Sequence, residues 1–563
     1  MNIKDHSFFT GICFICLVAI AGCKNKNGKP SDTIANTPQE LQQKAPDLIH
    51  SLIDNAIKSN NKTDDSIALI QLPVVQVLYE KNNYIPVWSK EQQWLPLGDS
   101  LFQLITHAQL LGLFPEDYHQ KDIAEIRESF FNDSSGKKER KNVSLWSKAD
   151  VLLTDAFAQI IKDIKLGRLP QDSITLRKDS VLDNDFFSLQ LAEIKRANSF
   201  TRIIAFLEPR IRGYRLLKEG IKTFLDSADF RNYTVLPSTT KDTGFKKALQ
   251  RRLFEGGFIA TDTLVADSST LAAAVKKFQL KSGITVDGQV GSGTIRMLNL
   301  SDREKFIRIA ISMDKFKMLP EKMPPKYIWV NLPGFNLQLI DNDSVKISSK
   351  IICGKPLTRS PQLTSAISEM ITYPQWTIPT SIIVKEILPA VKKNPGYLHK
   401  KGFSLIDKNG DEVDPYTVDW TKYSKGIPYK VVQGSGDDNA LGILKFNFSN
   451  KYAVYLHDTN QRYLFGLIYR ALSHGCIRVQ EWQQLANYII QNDRQNSSAG
   501  NSAKGDSLLS WLRKKEKHSI PVQNRIPLFI RYLTCEGKNG GIVFYDDIYN
   551  DDKWLQNKYF STK

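Results

Sequence analysis

The chain has 563 residues, too many for one hydrophobic core, and its 41% hydrophobic and 24% charged content is that of globular protein. Its 76 Lys and Arg against 59 Asp and Glu leave a net charge of +17, a balance that suits an anionic partner. Only six cysteines argue against a disulfide framework, no nucleic-acid motif is present, and past the N-terminus no stretch is apolar and long enough to cross a bilayer.

Lys4 precedes an apolar run from Phe8 to Ala21 that is short for a membrane span and ends in small residues. This predicts an export signal over residues 1–22. Ile20-Ala21-Gly22-Cys23 resembles a bacterial lipobox, so cleavage would leave Cys23 as the lipidated first residue; a plain signal peptide or an uncleaved anchor is the alternative. Cys13 and Cys16 leave with the signal. Of the remaining thiols, a Cys353–Cys535 bridge would leave Cys476 free. Residues 23–45 are polar and read as a tether.

Residues 46–240 carry apolar positions at three- and four-residue spacing, as in Leu101, Leu104, Ile105 and Ala108, and predict a helical domain. Within it, Tyr84-Ile85-Pro86-Val87-Trp88 and Gly112-Leu113-Phe114-Pro115-Glu116-Asp117-Tyr118 read as aromatic core and helix punctuation, without chemistry of their own. Residues 243–300 predict three short helices: one carries Phe245, Leu249 and Leu253, the next Leu271, Val275 and Phe278, and the last runs from Thr294 to Leu298.

From Lys326 the period changes from helix to strand, with Tyr327–Leu332 and the alternating Phe335, Leu337 and Leu339. Pro374 and Pro379 confine Trp376–Ile378 to an edge or a loop. Residues 385–424 are mixed helix and loop, long enough to cover a site. Strands then lead to His457, a helix follows from about Gln480, and further strands reach residue 536, leaving 537–563 as a C-terminal segment. The fold class is multidomain α+β, with a mainly-β domain over 326–536.

The chemistry centres on Ser473-His474-Gly475-Cys476-Ile477-Arg478, with His457 nineteen residues before the cysteine. A thiol is nucleophilic as thiolate, and an imidazole or cation lowers its pKa. His457 reads as general base, Arg478 and the following helix N-terminus as added positive bias, and the turn at Gly475 as a source of amides for an oxyanion. Asp458 is adjacent to the histidine, but neighbouring side chains on a strand point apart, so the group orienting His457 stays open. Zinc on His457, His474 and Cys476 is the rival reading, and a lone structural cysteine the bland one; metal-ligand spacing disfavours the first.

The stretch "AVKKFQLKSGITVDGQVGSGTIRMLN" resembles a three-helix peptidoglycan-binding module, for which a spacer role is the alternative. Residues 455–479, "YLHDTNQRYLFGLIYRALSHGCIRV", resemble the signature of L,D-transpeptidases. The phrases "VNLPGFNLQL" (330–339), "YPQWTIP" (373–379) and "NALGILKF" (439–446), with "YIPVW" and "GLFPEDYH", resemble the large periplasmic branch that has a helical scaffold domain. That resemblance implies Cys476 as nucleophile and His457 as base. It implies His474, Gly475 and Cys476 around the oxyanion and Arg478 near the substrate, and it places Ser473, Tyr455, Trp376, Asn439, Gly442, Lys445 and Phe446 in motifs lining the cleft.

The implied reaction joins donor and acceptor peptidoglycan stem peptides by 3→3 cross-links through a thioester, serving cell-wall organisation and cell shape. It implies no metal or organic cofactor, carbapenems as inhibitors, and a periplasmic lipoprotein in the outer or inner membrane of a Gram-negative bacterium. Resolution by water (an L,D-carboxypeptidase), attachment of a protein to the wall, and a non-catalytic peptidoglycan-binding lipoprotein are the alternatives.

Overall fold

In the computed structural model, the described residues are 34–561 apart from 64–65, 133–134, 180, 263–266, 283, 285 and 496–503. The expected export signal and Cys23 lie outside them. Among the described residues no helix is long and apolar enough to cross a membrane.

Helix α1 (Pro38–Lys58) begins inside the stretch expected to be a tether. The Thr37 side chain accepts the Glu40 amide, Pro38 occupies the first turn, and Leu41, Ala45, Ile49 and Ile53 form a buried stripe. Its polar composition hid that four-residue period. Helix α2 (Leu72–Lys81) packs with α1 on α3 (Val143–Leu166), the buried axis of the helical domain.

Carboxylates on α3 gather donors from the two aromatic phrases. Asp150 accepts the Val87 and Trp88 amides and the Tyr79 and Ser89 hydroxyls. Asp155 accepts the Ile70 and Gln71 amides at the start of α2 and faces His119 Nε2 at 2.7 Å, while Tyr118 donates to Asp163. These phrases are packing and capping, as the sequence implies.

Helix α4 (Arg212–Ser227) leads to the expected three-helix unit, α5 (Phe245–Glu255), α6 (Ser268–Lys281) and α7 (Ser292–Asn299). Phe245, Leu249, Leu253, Leu271, Val275 and Phe278 form its core, and the buried Gln279 amide ties the 287–289 turn to α6 and α7.

Residues 302–317 form a helix the sequence reading leaves unassigned, α8 (Asp302–Lys317). Its signal is Ser301 followed by Glu304, and the Ser301 hydroxyl accepts the Glu304 amide. α8 joins the domains. Lys317 Nζ donates to the Asp163 carbonyl and to Asp314, and Asp314 accepts the Arg168 amide.

The β-rich domain comprises β1 (Lys326–Asn331), β2 (Asn336–Asp341), β3 (Ser344–Gly354), β4 (Leu363–Thr372), β9 (Leu444–Phe448), β10 (Leu456–His457), β11 (Ala471–Ser473), β12 (Ile477–Val479), β13 (Ser519–Pro521) and β14 (Pro527–Arg531). Strands pair in the order β9-β10-β12-β3-β2-β1-β14-β4-β13, β9 also pairs β4, and β11 adds to β3, so the ladder returns on itself around one core. Between β4 and β9 stands the expected cover, a sheet β5-β8-β6-β7 (Trp376–Thr377, Lys430–Gln433, Phe403–Ile406, Glu412–Val413) with its own core of Ile378, Ile387, Val391, Leu405, Trp420 and Val431. β5 is its edge strand, as the flanking prolines require.

Residue 536 falls inside a hairpin, β15 (Cys535–Lys538) with β16 (Gly541–Phe544), that packs on α4. A Cβ at Gly537 would stand 2.0 Å from the Leu216 backbone. Helix α10 (Asp551–Tyr559) lies on α8, and Phe560 is buried against Phe114. The Cys353–Cys535 bridge is not formed. Both thiols are free and buried, Cys353 in the barrel core and Cys535 beside Ser312 of α8 at 3.3 Å, in separate clusters.

Candidate active site

Register alone assembles the site. β10 and β12 run parallel, with Leu456 opposite Ile477 and His457 opposite Arg478; β9 runs antiparallel, with Lys445 opposite His457 and Phe446 opposite Leu456. The Ile477 amide donates to the Tyr455 carbonyl at 3.1 Å, which carries the pairing one residue back to Tyr455 and Cys476. Paired residues project from one face and alternate ones from the other. Leu456, Phe446 and Ile477 therefore enter the core, while Lys445, Tyr455, His457, Cys476 and Arg478 share the opposite face.

On that face the Tyr455 and His457 rings meet edge to face at 5.7 Å, and Lys445 Nζ lies 3.9 Å above the Tyr455 ring. The Tyr455 hydroxyl faces the thiol, and the Trp376 side chain reaches from the cover to the same hydroxyl. Arg478 Nη1 donates to Gln461 Oε1 at 3.0 Å, and its Nε is buried without a partner among the described residues.

Burial dominates the electrostatics. It pushes the Cys476 thiol above its ordinary range, although the Tyr455 amide and hydroxyl, Lys445 and Arg478 all favour thiolate. The expectation of a net lowering is thus overturned by desolvation. Helix α9 (Trp482–Gln495) begins beyond β12, more than one turn along the chain from Cys476. Burial and the Arg478 charge hold His457 down to about 3, so its imidazole is neutral at rest.

The Asp458 carboxylate does not orient that ring. Fully buried, it accepts Arg462 Nε and Nη2, at 3.1 and 2.5 Å, and the Ile443 amide. The backbones of Asp458 and Leu441 lie beside the His457 ring, while Nδ1 has no partner at hydrogen-bond distance among the described residues. Gly442 lets the chain pass here at φ +63, where a Cβ would stand 2.4 Å from Asp458 Oδ2.

Two residues expected to bind substrate are committed to the frame. Asn439 is buried, donates to the Gly434 carbonyl at 2.8 Å and accepts the Leu441 amide, so it shapes the loop that presents Leu441. Ser473 donates to the Cys476 carbonyl at 2.6 Å and accepts the Gly475 amide at 3.1 Å. Gly475, at φ +122, makes that turn, and its amide is occupied. The His474 and Cys476 amides donate to no acceptor among the described residues.

Sequence reading missed the supports of this turn. Thr358 donates to the Ser473 carbonyl at 3.0 Å, Ser360 donates to the Gly475 carbonyl at 2.7 Å, and Glu386 of the cover meets His474 Nε2 at 2.5 Å. They lie about a hundred residues away, and nothing local marks them. Among the described residues no three His, Cys, Asp or Glu are placed to share a metal ion.

Residues 325–495 match the L,D-transpeptidase catalytic domain, 73–221 the scaffold domain and 246–298 the peptidoglycan-binding domain. A Haemophilus influenzae protein assigned to the L,D-transpeptidases is 33% identical over 248 residues, 44% of this chain and 48% of the relative. The chain thus spans about half the length of the curated relative it matches. Among solved structures, an L,D-transpeptidase from Mycobacterium smegmatis is similar at 12% identity over 37% of this chain and 58% of that one, with TM-score 0.17. One from Stackebrandtia nassauensis is similar at 16% identity over 46% and 91%, with TM-score 0.17.

Proposed function

From a chain that joins a scaffold domain and a peptidoglycan-binding domain to a catalytic domain of the L,D-transpeptidase family, we propose a cysteine acyltransferase that forms 3→3 cross-links between peptidoglycan stem peptides. The observation that carries this reading is the shared face of Cys476, His457, Tyr455, Lys445 and Arg478 beneath a cover.

Neutral His457 takes the Cys476 proton as Sγ attacks the carbonyl of the third residue, a diamino acid, in a tetrapeptide stem. The C–S bond forms, and the carbonyl oxygen, now anionic, lies toward the His474 and Cys476 amides. Lys445 and Arg478 offset the developing charge on sulfur. As the tetrahedral species collapses, the C–N bond breaks and D-alanine leaves with the proton from His457. A side-chain amine of a neighbouring stem then forms the new C–N bond as C–S breaks. Arg478 Nε, buried and without a partner among the described residues, suits a carboxylate of the stem.

The three-helix module holds the enzyme to the wall, and Cys23 carries a lipid that anchors it in the periplasm. Mass spectrometry of muropeptides from wild-type and C476A cells tests the reaction. The expected result is 3→3 dimers that vanish with the sulfur. Trimmed tripeptides without dimers would instead establish a carboxypeptidase, and no carbapenem adduct on Cys476 would leave a binding module. Labelled palmitate in wild type but not in C23A tests the anchor.

A further inference from the structure

The cover touches the catalytic turn through one carboxylate. A π-helical turn, Ile383–Ile387, precedes Pro389, which lacks the N–H that would continue an ordinary helix. Ile383 and Ile387 are anchored in the core of the cover, and Glu386 projects beside them with its side chain 50% exposed. Its Oε1 meets His474 Nε2 at 2.5 Å. Among the described residues it is the one carboxylate that hydrogen-bonds to the 473–476 turn. Glu369, the acidic group near Lys445, is spent on Asn447 and Ser519.

The second half-reaction has a proton requirement that His457 alone does not meet. An alkyl amine reaches the site as ammonium, with an ordinary pKa of about 10.4. It must lose one proton before it attacks and a second as the amide forms. The charges already on the face, Lys445 and Arg478, repel an ammonium.

Resting on the acyl-transfer reading above, we infer that His474, oriented by Glu386, is the base that strips the incoming ammonium, with Glu386 as its positioning residue and the attractor of the cation. The first proton passes from nitrogen to the His474 imidazole, whose positive charge the Glu386 carboxylate balances. The freed lone pair attacks the thioester carbonyl, C–N forms and C–S breaks. The second proton passes through His457 to the departing sulfur, and His474 returns its proton to water.

The test starts from the full chain with a thioester preformed on Cys476 from a tetrapeptide donor. Two nucleophiles resolve it: an acceptor stem, whose amine is protonated at neutral pH, and hydroxylamine, whose nitrogen is not. For E386Q the ratio of the acceptor rate to the hydroxylamine rate is expected to fall about tenfold or more, and E386D to recover most of it. Because both rates come from one acyl-enzyme, impaired folding or acylation leaves the ratio unmoved. Equal slowing of both nucleophiles, or no slowing of either, overturns the inference. A wild-type chain that forms no thioester defeats the acyl-transfer reading itself.

Discussion

At the residue scale, the pair that matters rests as thiol and neutral imidazole. Burial raises Cys476 and lowers His457, so both rest uncharged. Alkylation by iodoacetamide should therefore climb as pH rises above about 8.5, the ordinary thiol value. K445M should move that climb further upward by removing a cation that favours thiolate; a profile that moves downward would contradict this assignment. His457 also links stability to pH. Its folded value of about 3 lies below the ordinary value of about 6.5, so the unfolded chain binds more protons between them. The associated stability is complete above about pH 6.5 and is lost as pH falls toward 3. Urea midpoints measured from pH 7 down to 4 should fall more steeply for wild type than for H457Q.

At the element scale, the 433–442 loop lies against His457. Asn439 spends both ends of its amide on that loop, so N439A should cost about 1–3 kcal/mol by leaving buried groups unpaired. It should also lower kcat, because the Leu441 backbone beside His457 loses its support. Denaturant midpoints and steady-state rates check the two effects. G442A should be worse for stability than N439A, since it adds a left-handed φ to a collision with Asp458. The strands of the site were legible as periods, but their register was not. Tyr455 and His457 announce a common face by spacing; that Lys445 joins them follows only from β9 pairing with β10. Asn439 and Ser473 looked like cleft residues because they sit in the motifs, yet their side chains turn inward to hold the turns.

At the scale of the whole molecule, α8 and the C-terminal hairpin lock the scaffold to the barrel. Lys317 is buried between Asp314 and the Asp163 carbonyl, so K317M should cost about 3–5 kcal/mol by stranding Asp314. Asp163 carries its own pH signature. Burial pushes it up to about 6, above the ordinary carboxylate value of about 3.9, so the folded state binds the extra proton between these values. Its contribution to stability is present below about pH 4 and is lost as pH rises through 6. D163N should gain on wild type across that range, by on the order of 2–3 kcal/mol at pH 7, measured as urea midpoints at pH 4 and 7.

Local chemistry decided the helical front half, the three-helix module, the change of period at Lys326 and the choice of Cys476 and His457 as candidates. Those readings depend on spacing within one segment, where side-chain period and backbone preference act directly. What required the fold was everything that joins distant segments. The α8 axis, the closure of β9 on β4, the separation of Cys353 from Cys535, and the meeting of Glu386 with His474 are contacts between residues far apart in the chain. The thiol's resting state belongs with them. Neighbours in sequence supply the charges that favour thiolate, but the low-dielectric surroundings that outweigh them exist only once the barrel and its cover have closed.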